Sequence, residues 1–232
     1  MHVRQFRYSA DNFSYVLYGD RSALVVDGGA VKEICAFIKS RDLNLKLITN
    51  THQHMDHTCG NSELIDQTRA TFIDNRTLRS GQILELDNEK IEVYHTPGHT
   101  SDSICLRADN VIITGDTLFN GTIGNCFSGD LQGFYLSIKK LIALPDATIV
   151  YAGHDYVRDS LFLARHLEPE NEDIGSFLEK YNPAHVFSTL EEERKINPYL
   201  RFNDPAIIAF LERSGLPVAT ELERWNSLMR IE

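Results

Sequence analysis

Long apolar runs are missing from this chain. No stretch of about 18 consecutive apolar residues occurs, so no segment suits a helical membrane span. The opening MHVRQFRYSADNF lacks the apolar centre of an export signal, and the expectation is a cytoplasmic protein. Cysteine is scarce: Cys35, Cys59, Cys105 and Cys126 are irregularly spaced, with no Cys-x-x-Cys pair. That pattern excludes a zinc knuckle and a disulfide framework, leaving each expected as a buried thiol. Positive charge is also short. With 23 Lys and Arg against 33 Asp and Glu, the formal net charge is −10, which argues against nucleic acid or an anionic membrane surface as a partner. Low-complexity segments and internal repeats are absent as well, and 42% hydrophobic with 24% charged residues is the composition of a globular protein.

What is present divides in two. Short β-rich runs (VRQFRY, FSYVLYG, SALVVDG, LKLITNT) open the chain, with one helical segment, VKEICAFIKS, between the third and fourth. A second series follows (ATFID, GQILELD, KIEVYHT, SICLRA, NVIITGD), then an amphipathic helix at about Leu131 to Leu144 and a further strand in TIVYAGHD. From Val157 the apolar residues recur at spacings of three and four, punctuated by Pro169, Pro183, Pro198, Pro205 and Pro217. The expected organisation is an α/β body over residues 1–156 and a helical appendage over residues 157–232.

The chemistry concentrates in THQHMDHTCGN, which places His52, His54, Asp56 and His57 directly after the apolar run LKLIT. Imidazoles mixed with carboxylate suit zinc, iron or manganese, and the lack of clustered thiolates argues against a purely structural zinc site. His99 in TPGHTSDS, Asp116 in TGDTLF and His154 in YAGHDY each end a β-like run. A catalytic zinc usually takes three protein ligands and leaves one position for water, so seven candidates are too many for one ion. If Asp116 bridges, seven residues supply four bonds to each of two ions, with a bridging hydroxide as nucleophile. His2, His95, His166 and His185 have no place in this set, and Asp27 in VVDGG is expected to orient backbone or a ligand.

The His-x-His-x-Asp-His motif with the later His, Asp and His resembles that of the metallo-β-lactamase-type hydrolases. The resemblance implies an αββα sandwich with His52, His54 and His99 on a first metal, Asp56, His57 and His154 on a second, and Asp116 between them. It also implies two divalent ions, zinc in the first instance, with Asp56 orienting the hydroxide.

LARHLEPEN and STLEEERKINPYLRF in the tail resemble the helical extension of glyoxalase II, the hydroxyacylglutathione hydrolase family. That resemblance implies hydrolysis of S-lactoylglutathione or a related acyl thioester, with Tyr156 and Arg201 contacting glutathione. A guanidinium suits a carboxylate through its paired donors. Where the family carries a basic residue and an aromatic after GDTLF, this chain has Asn125 and Phe127, and Ser128 replaces an acidic residue. Other readings are a persulfide dioxygenase-like oxidoreductase with a single iron, a hydrolase of another ester or lactone, and a binding protein that has lost catalysis.

Overall fold

The computed structural model describes residues 1–231. Its first sheet orders β1 (His2–Tyr8), β2 (Asn12–Tyr18), β3 (Ser22–Val26), β4 (Asn44–Thr49) and β5 (Thr71–Phe72) in sequence, the first three antiparallel and the last two added in parallel. The second sheet orders β11 (Ser188–Thr189), β10 (Ile149–Ala152), β9 (Val111–Gly115), β8 (Ile104–Ala108), β7 (Glu89–His95) and β6 (Ile83–Leu86).

YVLY of β2 and ALVV of β3 read as unbroken apolar runs because both of their faces are covered. Tyr15, Leu17, Leu24 and Val26 point between the sheets, against Ile91 and Val93 of β7 and Ile104 and Leu106 of β8. The alternate residues Val16, Ala23 and Val25 point outward, as the two-residue period of a strand requires. There they meet Ile34 and Ile38 of α1 (Val31–Ser40) and Leu64 of α3 (Asn61–Thr68). The outer face of the second sheet is covered by Phe134, Ile138 and Leu141 of α4 (Leu131–Ile142). Helix, sheet, sheet, helix is therefore the layer order, the αββα sandwich expected.

The tail supplies α5 (Val157–Leu167), α6 (Glu172–Lys180), α7 (Leu190–Ile196), α8 (Pro205–Arg213) and α9 (Glu221–Leu228). Trp225 of α9 is fully buried against α4, its ring 5.8 Å from that of Phe134. β11 also comes from the tail and extends the second sheet, while Val186 exchanges two hydrogen bonds with the Gln5 side chain at 2.8 and 2.9 Å. No helix among the described residues is long and apolar enough to cross a membrane. The thiols depart from expectation: Cys105 is buried, Cys35 and Cys126 are half-buried, and Cys59 is exposed with its Sγ 3.2 Å from the Asp56 carbonyl.

Candidate metal centre

Strands of both sheets end at one edge of the sandwich, and the candidate ligands sit on the loops that leave them. The segment after β4 carries His52 and His54 and turns into the one-turn helix α2 (Met55–Thr58), which holds Asp56 and His57. His99 lies between β7 and β8, Asp116 directly follows β9, and His154 follows β10. Backbone must approach closely here. A Cβ on Gly153 would lie 2.1 Å from Asp116 Oδ1, and one on Gly124 would lie 1.9 Å from the Asp116 carbonyl, so both positions need glycine.

All seven residues come together, in two groups. His52, His54, His99 and Asp116 present atoms within 4.8 Å of one another, and Asp56, His57 and His154 do the same. His54 Nδ1 lies 3.0 Å from His52 Nε2 and 3.1 Å from His99 Nε2, and His57 Nε2 lies 3.2 Å from His154 Nε2. Asp116 reaches both groups: Oδ2 is 3.4 Å from His99 and 3.4 Å from His154, and Oδ1 is 3.3 Å from His57.

Four imidazoles are held from behind. His52 Nδ1 lies 3.1 Å from the Thr51 hydroxyl, His57 Nδ1 3.0 Å from Asp27 Oδ2, His99 Nδ1 2.9 Å from the Asn125 carbonyl, and His154 Nδ1 3.0 Å from Asp11 Oδ1. An acceptor on the far nitrogen fixes the tautomer and leaves the near lone pair facing inward, the arrangement that metal-binding histidines use. Asp27 also accepts from the Thr51 amide at 2.8 Å and its hydroxyl at 2.7 Å, the orienting role expected of it.

The donor set fits divalent cations. Asp116 Oδ1 is buried with no hydrogen-bond donor, and anionic oxygen facing clustered imidazole nitrogens calls for positive charge between them. Burial and the neighbouring His57 push His52 down to about 3, keeping it neutral. Burial also lowers His99. Burial would lower His57 too, but Asp27 and Asp116 outweigh it and raise that imidazole. Burial opposes ionisation of Asp116, yet His154 and His57 hold its carboxyl well below the usual range. Against burial, Asp116 and Asp11 likewise raise His154, and the protons that His57 and His154 favour would be released on metal binding.

Around the centre, the Tyr156 ring stacks on His154 at 5.0 Å and meets Phe119 edge-on at 5.0 Å. Tyr156 and Asn125 line a cleft of about 290 Å³ beside the centre. Phe127 is 67% exposed and sets its ring against His54 and His99 at 5.8 and 5.2 Å. Arg201 is elsewhere. Its guanidinium pairs with Glu168 at 2.5 Å and Asp204 at 2.9 Å, donates to the Lys195 carbonyl, and lines a separate cavity with Leu167 and Arg213. The second partners of the ligand histidines, Asp11 and the Asn125 carbonyl, escape sequence reading because nothing in the local pattern marks them.

Residues 10–76 and 72–154 match the metallo-beta-lactamase superfamily, and residues 155–228 match the hydroxyacylglutathione hydrolase C-terminus. The chain is 30% identical to a hydroxyacylglutathione hydrolase of Vibrio cholerae serotype O1, covering 94% of this chain and 95% of that protein. It is 32% identical to one from Aliivibrio salmonicida, over 93% and 94%. Among solved structures, ETHE1 from Myxococcus xanthus aligns with a TM-score of 0.73 at 24% identity, over 99% of this chain and 90% of that one. A metallo-beta-lactamase from Staphylococcus aureus aligns at 0.68 and 19% identity, over 100% and 71%, and these two likenesses speak for the fold. With matches to both parts and relatives along nearly its whole length, the chain belongs to the hydroxyacylglutathione hydrolase (glyoxalase II) family of the metallo-β-lactamase superfamily, a family of metal-dependent hydrolases.

Proposed function

We propose that this chain is a two-metal thioesterase that cleaves S-lactoylglutathione or a related acyl thioester to a hydroxy acid and a free thiol. The observation that carries the reading is the pairing of two ligand groups across one buried carboxylate, Asp116. His52, His54 and His99 would hold one ion, Asp56, His57 and His154 the other, and Asp116 both. Two divalent ions, zinc or alternatively iron or manganese, supply Lewis acidity that brings water toward ionisation at neutral pH and polarises an acyl oxygen.

The protein's own part is orientation. Asn12 donates to Asp56 Oδ2 at 2.8 Å, and the Tyr8 hydroxyl donates to the Asp56 carbonyl at 2.7 Å, so this half-exposed residue is steadied on two sides. Burial pushes the Asp56 carboxyl up, but His57 and the Asn12 contact outweigh it and keep it ionised, ready to accept a proton bond from the attacking water. Tyr156 and Phe119 form an aromatic wall along which the thiol portion would lie. Support for two ions rather than a single iron comes from the second group, complete and backed by Asp27 and Asp11. Free thiols and a thiol product suit a reducing compartment, in keeping with a cytoplasmic protein.

The test is metal content by plasma mass spectrometry alongside thiol release from S-lactoylglutathione and a small thioester panel. Two ions per chain with thiol release abolished by chelation is the expected result. One iron per chain with oxygen uptake on a persulfide, or no thiol release from any thioester, would sink the reading.

A further inference from the structure

The cleft beside the centre is lined without a cation. Its walls are aromatic and aliphatic, from Phe119, Tyr156, Tyr199, Leu163 and Met229. Polar groups are neutral ones, the Asn125 amide and the Ser160 and Thr122 hydroxyls. Asp159 is the one charged lining residue among the described residues, and it is an anion. Asp11, behind His154, adds a second negative charge nearby.

Arg201 and Arg158 are engaged away from the cleft. Arg201 is held by Glu168, Asp204 and the Lys195 carbonyl and faces another cavity. Arg158, next to Asp159, lies over the Tyr181 ring at 5.6 Å. Arg230 is exposed between two lining residues, Met229 and Ile231, and does not line the cleft itself.

From this we infer that the thiol carrier is an uncharged, amide-bearing thiol of the cysteamine type rather than the dicarboxylate glutathione. Glutathione would bring two carboxylates and one ammonium; Asp159 could answer the ammonium, but the wall offers the carboxylates amide and hydroxyl donors and no cation. Each missing charge-assisted contact costs roughly tenfold to a hundredfold in affinity. A neutral amide thiol would pair with Asn125 and lay its methylenes on the aromatic wall at no such cost. The inference rests on the thioesterase reading and narrows it to one class of carrier.

The experiment compares one acyl group, lactoyl, on glutathione and on N-acetylcysteamine, using the metal-loaded full chain. kcat/KM for the N-acetylcysteamine ester is expected to exceed that for the glutathione ester by about tenfold or more, chiefly through KM. Asn125→Lys is expected to move that ratio toward glutathione by about tenfold. A glutathione ester that equals or beats the neutral one, or a ratio unmoved by Asn125→Lys, overturns the inference. Calorimetric titration with the unreactive thioethers S-ethylglutathione and S-ethyl-N-acetylcysteamine judges the cleft independently of turnover. If no thioester is hydrolysed, the thioesterase reading fails, while tighter binding of the neutral thioether still upholds the cleft's preference and tighter binding of the glutathione thioether overturns it.

Discussion

Asp27 does the work of a hinge pin without touching the proposed metals. One carboxylate oxygen accepts from the Thr51 amide, the other from the Thr51 hydroxyl and His57 Nδ1, so it ties the start of the ligand segment to its last histidine. Its backbone sits at φ 53°, a left-handed conformation that asparagine also tolerates. Asp27→Asn therefore keeps the turn and the Thr51 amide contact but puts an NH2 group against His57 Nδ1. The expected outcome is a folded protein whose metal affinity falls about 10- to 100-fold, read by competition with a chromophoric chelator. Unchanged affinity would mean that His57 needs no backing.

Residue identity also explains what could be read in advance. The seven candidate ligands stood out because few residue types bind metal and four of them fell within six positions. The ion pair of Arg201 is the opposite case: its partner Glu168 is 33 residues away in sequence, and no local pattern announces a long-range ion pair.

Among the elements, α7 has the widest reach. Glu193, fully buried, accepts from the Gly121 amide at 3.0 and 3.2 Å and from Asn197 Nδ2 at 2.8 Å; Asn197 in turn donates to the Thr122 carbonyl. Ser188 of β11 takes a 2.7 Å bond from Asn120. The tail thus pins the loop that runs on to Asn125, whose carbonyl holds His99. Burial pushes the Glu193 carboxyl up to about 7, outweighing its hydrogen bonds and the opposing charge of Lys180. A carboxyl raised on folding binds more protons in the native state, so its contribution is fully present below its unfolded value and is lost as pH rises through about 7. Urea unfolding of wild type and Glu193→Gln at pH 5 and pH 8 should differ in their pH dependence by up to about 3 kcal/mol, with wild type losing ground toward pH 8. Parallel stability curves for the two proteins would remove the proposed role.

The elements differed in how plainly they announced themselves. Strands of the sandwich and the helices from α4 onward were legible because their apolar periods are strong, as in the alternation of β2 between two cores. α3 was not, since Leu64 and Ile65 are its only large apolar residues, and β11, two residues long, carries no period at all.

At the scale of the whole molecule, a net charge of −10 surrounds a centre meant for cations. Folding gathers carboxylates and imidazoles that the unfolded chain keeps apart, so cations stabilise the native state by mass action. Zinc at 100 times its dissociation constant should raise the unfolding free energy by about 2.7 kcal/mol, measured by denaturant titration with and without chelator. No difference between the two curves would argue that the groups hold no ion in solution.

The pinning of the active-site loop by the tail sets an order of assembly during synthesis. All seven candidate ligands have been translated by His154, whereas Ser188, Glu193 and Asn197 emerge afterwards. A nascent chain that has reached residue 156 holds the ligands without the clamp and without the rest of the cleft. Every candidate ligand is thus made before the residues that clamp the loop and complete the cleft.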